Sequence, residues 1–148
     1  MHAGRVTAVS ISEKKGMRKK NVPVIELKED FGIVNDAHAG TLNRQVSLLA
    51  AESIEKMKQK GLKVGSGDFA ENITTEGIDL LSLKIGSRIE FGKDVILEIS
   101  QIGKTCHNRC SIYYQAGDCV MPKEGIFAKV IRGGVIKPQD QISEVNDV

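Results

Sequence analysis

The chain has no tryptophan, three prolines and three cysteines in 148 residues, and its formal net charge is only +2. Each shortage removes a class of protein. Three cysteines are too few, and odd in number, to frame a disulfide scaffold, so they remain as thiols, metal ligands or packing residues. A balance of 21 basic against 19 acidic residues argues against wholesale nucleic-acid binding. The one basic cluster is Lys14, Lys15, Arg18, Lys19 and Lys20 around Gly16, with none of the interleaved aromatics that a single-strand stacking platform needs. It reads as a solvated hairpin tip, with attraction of a phosphate or polyanion as the alternative. No apolar run approaches the roughly twenty residues of a membrane helix. The run from His2 to Ser10 also lacks the charged-then-apolar layout of a secretory signal. The expected setting is cytoplasmic and reducing, with neither a membrane nor a nucleic acid as partner.

What is present suits one modest core: 41% hydrophobic and 27% charged residues in a length typical of one domain, here 1–148. Short β-branched runs punctuated by glycine dominate. Arg5 to Ile11 alternates as a strand, with Thr7, Val9 and Ile11 on one face and Val6, Ala8 and Ser10 on the other. Val22 to Leu27 is a second strand, placed at an edge or strand start by Pro23. Phe31 to Val34 and Val46 to Leu49 are further apolar runs. Ala50 to Lys60 reads as the one clear helix, its apolar face carrying Ala50, Ile54 and Met57 and its end marked by Gly61. Gly61, Gly65 and Gly67 mark a loop, and Ile73 to Thr75 a strand with a turn over Ile78 to Leu83. Two hairpins are predicted, Ser87–Phe91 with Val95–Ser100, and Ile126–Ile131 with Val135–Ile136 across Gly133-Gly134. The pattern predicts a mainly β protein, a closed or nearly closed β-barrel with one or two short helices.

Two constellations carry chemistry. The first is Gly103-Lys104-Thr105-Cys106-His107-Asn108-Arg109-Cys110 with Gly117-Asp118-Cys119, which holds every cysteine and one of the three histidines. Lys104, His107 and Arg109 make the stretch electropositive, which favours thiolate over thiol and hence a nucleophile or soft-metal ligand. Cys106, His107, Cys110 and Cys119 are also acceptable zinc ligands, although a second closely spaced cysteine pair is missing. Packing in a barrel wall is the remaining possibility.

The second is Asp36-Ala37-His38-Ala39-Gly40, where a carboxylate and an imidazole two positions apart can share a proton-transfer or anion-binding pocket. The alternative is that Asp36 closes an Asx turn while His38 covers the rim. Arg44 just beyond offers a planar fork for phosphate or carboxylate, and Glu71-Asn72-Ile73-Thr74 adds polar side chains at a loop-to-strand transition.

These segments, together with Arg44-Gln45-Val46-Ser47-Leu48-Leu49 and Val120-Met121-Pro122-x-Glu124-Gly125-Ile126-Phe127-Ala128, resemble a stand-alone MOSC domain, the module named after the C-terminal part of molybdenum cofactor sulfurase. The likeness runs from about Val6 to Ile142. It departs at Asn35, where the family commonly has glycine. The resemblance implies a barrel that binds the molybdenum cofactor (molybdopterin). It also implies a cysteine that serves as a molybdenum ligand or carries sulfur, in cofactor sulfuration or in reduction of N-hydroxylated compounds. It puts Cys110 ahead of Cys106 and Cys119 in that role. Asp36, His38, Arg44, Asn72, Lys104, His107 and Arg109 become cofactor-binding candidates. The implied partners are a cofactor-biosynthesis protein or an electron-donor reductase, because no flavin or iron-sulfur motif is visible. A non-catalytic cofactor carrier and a zinc-stabilised interaction module are the alternatives.

Overall fold

The computed structural model describes residues 3–14, 18–42, 44–103 and 125–145. Among them run, in chain order, β1 (Ala3–Ile11), β2 (Lys20–Val22), β3 (Ile25–Lys28), β4 (Gly32–Ile33), β5 (Val46–Ala50), the helix α1 (Ala51–Gln59) and β6 (Ile73–Glu76). A short 3-10 turn (Leu80–Ser82), β7 (Arg88–Phe91), β8 (Val95–Ile102), β9 (Ile126–Arg132), β10 (Gly134–Ile136) and β11 (Gln141–Val145) follow.

Seven strands close on themselves in the order β1-β11-β7-β8-β9-β5-β6, with β6 returning to β1. Closure depends on β11, which lies antiparallel to β1 from Ala3 opposite Ser143 to Arg5 opposite Gln141. Apart from the short β2 appended to β1, the closed sheet has no free edge among the described residues. The neighbours β5 and β6 run parallel, so the chain must cross back between them, and α1 is that crossover. A separate three-stranded sheet, β10-β3-β4, packs beside the barrel.

Alternation along β5 sorts side chains between two apolar clusters. Leu48 joins Val6, Val9, Ile73, Ile89, Leu97, Ile99 and Ile142 in the main core. Its neighbour Leu49 joins Ile54 and Met57 of α1, with Phe69 and Phe127, in a second cluster. The helix is therefore held by its apolar stripe, as its Ile54 and Met57 spacing requires. Its end is also as read: Gly61 takes φ +92° and donates its N–H to the Lys58 carbonyl at 2.9 Å.

Three expectations need correction. The simple alternation of β1 fails because a bulge between Val6 and Ala8 shifts register against β6, so Val6 and Val9, three positions apart, are both fully buried. The expected strand from Val22 to Leu27 is two strands in different sheets, interrupted at Pro23-Val24, where proline has no N–H for a ladder. Gly133-Gly134 does not close a hairpin: β10 leaves β9 and pairs with β3. A Cβ on Gly133 would sit 2.4 Å from the Leu27 carbonyl oxygen, so glycine serves there for close approach of two strands. The closing strand β11 has no counterpart in the sequence reading.

Candidate functional site

The connection between β4 and β5 carries Asp36, His38 and Arg44, and its first turn is set by backbone conformation. Asn35 sits at φ +69°. That left-handed region favours glycine and tolerates asparagine, so the departure from the family's glycine is accommodated by the residue type best able to replace it. Asp36 then turns inward. Its Oδ2 accepts the His38 N–H at 3.1 Å, and its Oδ1 accepts the Ser12 N–H from the end of β1, also at 3.1 Å. The Asx-turn reading of Asp36 is thus realised.

The residue that completes the cluster is Lys19. Its ammonium donates to Asp36 Oδ1 at 2.8 Å and to Ser12 Oγ at 3.1 Å, and lies 3.0 Å from His38 Nδ1. Both Lys19 and Asp36 side chains are wholly excluded from solvent, while the His38 side chain keeps 18% of its surface exposed. Burial alone would raise the Asp36 carboxyl. The adjoining His38, the Lys19 ammonium with its hydrogen bond and charge, and the Ser12 N–H outweigh it and hold the group well below the usual carboxylate range. Reading the basic run as a solvated tip is therefore wrong at Lys19. The signal that distinguishes it is its proximity to strand β2: the chain is already entering the ladder there, and Lys19 N–H donates to the Gly67 carbonyl at 2.7 Å.

That contact ties the cluster to the loop before β6. A Cβ on Gly67 would fall 2.2 Å from the Lys19 carbonyl oxygen, and its φ is +93°. The Gly67 N–H is in turn accepted by the buried carboxyl of Glu71 at 3.0 Å, which also accepts from Phe69 N–H and Thr74 Oγ1. Burial pushes the Glu71 carboxyl up, and its own hydrogen bonds only partly oppose that.

Asn72 is fully buried, and its amide is engaged within the wall. Oδ1 accepts from Ser47 N–H at 3.0 Å and from Ser47 Oγ at 3.1 Å, while Nδ2 donates to the Ser10 carbonyl at 3.0 Å. It clasps β1, β5 and the start of β6. Arg44 stands apart from the Asp36 cluster: its Nε donates to Gln101 Oε1 at 3.3 Å, and its guanidinium carbon lies 5.3 Å from the centroid of the Phe127 ring. Gln101 Nε2 donates to the Gly103 carbonyl at 2.8 Å, and Gly103 N–H donates to the Gly125 carbonyl at 2.7 Å. These two glycines bound the stretch 104–124. Lys104, Cys106, His107, Arg109, Cys110 and Cys119 lie outside the described residues. Among the described residues no three His, Cys, Asp or Glu side chains form a metal-binding group, and no helix is long and apolar enough to cross a membrane.

The class of protein to which this closed barrel belongs follows from comparison with known families. The MOSC domain family profile matches residues 35–143, and the chain belongs to that family, which is associated with molybdenum-cofactor binding. No curated protein matches the chain. Among solved structures, the YuaD protein from Bacillus subtilis superimposes with a TM-score of 0.79 at 20% identity, over 95% of this chain and 94% of that one. YiiM from Geobacillus stearothermophilus gives 0.72 at 16% identity, over 97% of this chain and 75% of that one. YiiM from Escherichia coli gives 0.64 at 19%, over 97% and 71%. At these identities the likeness is one of fold.

Proposed function

We propose that this chain binds the molybdenum cofactor at the rim built by the β4–β5 connection, using a cysteine of the 104–124 stretch as molybdenum ligand or sulfur carrier. Cys110 is the first choice and Cys106 the second. The observation that carries the reading is the Gly103–Gly125 hydrogen bond beside Gln101, which joins both ends of the cysteine stretch next to the residue that orients Arg44.

The described residues fit the anionic side of the cofactor. Arg44 spends only Nε on Gln101, which leaves its terminal nitrogens, without partners among the described residues, for a phosphate. His38 offers the uncovered part of its ring. They do not supply a metal site of their own, because Asp36 is committed to Lys19, Ser12 and the His38 N–H. A thiolate, soft and polarisable, is the donor suited to molybdenum and able to accept sulfane sulfur as a persulfide. Lys104, His107 and Arg109 are assigned to lowering the thiol's pKa and to the pterin phosphate, and Asn72 to holding the strands rather than touching the ligand. When bound, the cofactor supplies the redox chemistry that reduction of N-hydroxylated compounds requires, with electrons from a separate donor protein.

Protein purified from cells that make the cofactor is expected to contain molybdenum by elemental analysis, and a Cys110→Ser variant to lose it. If wild type and variant both carry none while zinc is stoichiometric, the proposal fails.

A further inference from the structure

We infer that Lys19 is a positioning residue for His38: its ammonium holds the imidazole as the neutral Nε2–H tautomer, which makes His38 a fixed hydrogen-bond donor on the rim. The functional half of this inference rests on the cofactor reading above, and the tautomer itself does not.

The argument is one of counting protons. An ammonium has three N–H donors and no lone pair. Three acceptors surround Lys19 Nζ at hydrogen-bonding distance: Asp36 Oδ1 at 2.8 Å, His38 Nδ1 at 3.0 Å and Ser12 Oγ at 3.1 Å. Contact with a buried carboxylate keeps the lysine charged, so it cannot accept from His38. Nδ1 must therefore present its lone pair, and the ring proton is left on Nε2. The alternative, Nδ1–H donating to Asp36, fails on distance, because Oδ2 is 3.7 Å away.

The backbone that carries the ring is held on both sides. The His38 N–H is fixed on Asp36 Oδ2, and its carbonyl accepts from Thr41 Oγ1 at 2.8 Å. Lys19 is fixed just as firmly, through its N–H on the Gly67 carbonyl and the carboxyl of Glu71 behind Gly67. Since Nδ1 faces a fully buried ammonium, the exposure that His38 retains falls on the rest of the side chain. A protonated Nε2 has no lone pair to offer a metal. It donates instead to an acceptor oxygen, the chemistry of a phosphate or a carbonyl on the bound molecule.

A long-range 1H–15N correlation spectrum of the ligand-free protein at neutral pH tests the tautomer directly. The expected His38 pattern is a pyridine-type Nδ1 and a pyrrole-type Nε2. A pyrrole-type Nδ1, or two pyrrole-type nitrogens, in the wild type overturns the inference, whether or not any variant folds. In Lys19→Met the Nδ1 signal is expected to move toward the pyrrole type as that nitrogen turns to Asp36, and an unchanged pattern in a folded variant also overturns it. The functional half is read from molybdenum per folded chain: His38→Gln, whose amide nitrogen reaches the Nε2 position, should retain more than His38→Asn. The latter should fall by about tenfold or more, the scale of one lost hydrogen bond to a charged group. Equal losses would refute the donor role. A wild type free of molybdenum refutes the cofactor reading and leaves the spectrum to decide the tautomer.

Discussion

The ammonium of Lys19 lies 2.8 Å from Oδ1 of Asp36, and neither side chain is reached by solvent. A lysine from a run of exposed-looking cations and an aspartate from the next long connection thus meet inside the rim. Removing one partner leaves an uncompensated buried charge, so Lys19→Met is expected to destabilise the fold by about 3–5 kcal/mol in denaturant unfolding. The double variant Lys19→Met with Asp36→Asn should recover part of that loss. A double variant worse than the single one would show that the pair contributes mainly through the backbone N–H groups that Asp36 holds.

Asp36 also sets an acid-side expectation. Because its carboxyl is held below the ordinary value of 3.8, its stabilising contribution is present above that value and is lost only as pH falls through the depressed one. Carboxyl 13C titration should find Asp36 still ionised when exposed aspartates are half protonated. A titration step near 3.8 would mean that Lys19 is not paired with it in solution.

Glu71 has the opposite sign. Its raised carboxyl contributes stability that is full below the ordinary glutamate value of 4.5 and is lost as pH rises through the raised one. Glu71→Gln, close in shape to the protonated acid, should match wild type in acid and gain on it as pH increases. If the wild type gains instead, the donors from Gly67, Phe69 and Thr74 outweigh burial.

Gly67→Ala meets both a left-handed backbone and the Lys19 carbonyl oxygen at 2.2 Å. Conformation alone costs about 1–3 kcal/mol. The collision adds to that, so a clear fall in Tm is expected, together with a disturbed His38 imidazole signal. A variant of wild-type Tm would show that the 65–71 loop does not brace Lys19.

Arg44→Ala removes a cation over Phe127 and one hydrogen bond to Gln101. The stability change should stay within about 1 kcal/mol, the scale of an exposed cation–π contact. Molybdenum per chain should fall well beyond what that small change explains. Unaltered loading would remove Arg44 from the cofactor site.

Much of the barrel is legible in local pattern. Residues 88–91 and 95–100 alternate with period two and form the expected hairpin, because each strand has one face in the core and one outside. The helix is legible from the spacing of Ile54 and Met57 and from Gly61. The bulge in β1 is not, since the extra residue is defined only against β6. The pairing of β10 with β3 is likewise hidden, because two adjacent glycines signal a turn equally well as a close crossing. In the site, the Asp36-His38 spacing is visible, whereas the burial of Lys19 is masked by its basic neighbours.

Residue order by itself determined the period-two hairpin of residues 88–91 and 95–100, the apolar stripe and glycine stop of the helix, and the gathering of all three cysteines between positions 106 and 119. Each of these depends on residues a few positions apart. Only tertiary structure decided that β11 seals the barrel against β1, that Lys19 is the cation facing Asp36 and His38, and that Gly103 meets Gly125 beside Gln101. Those outcomes depend on which distant segments exclude water from one another, and burial of a charge or closure of a sheet is a property of the assembled chain.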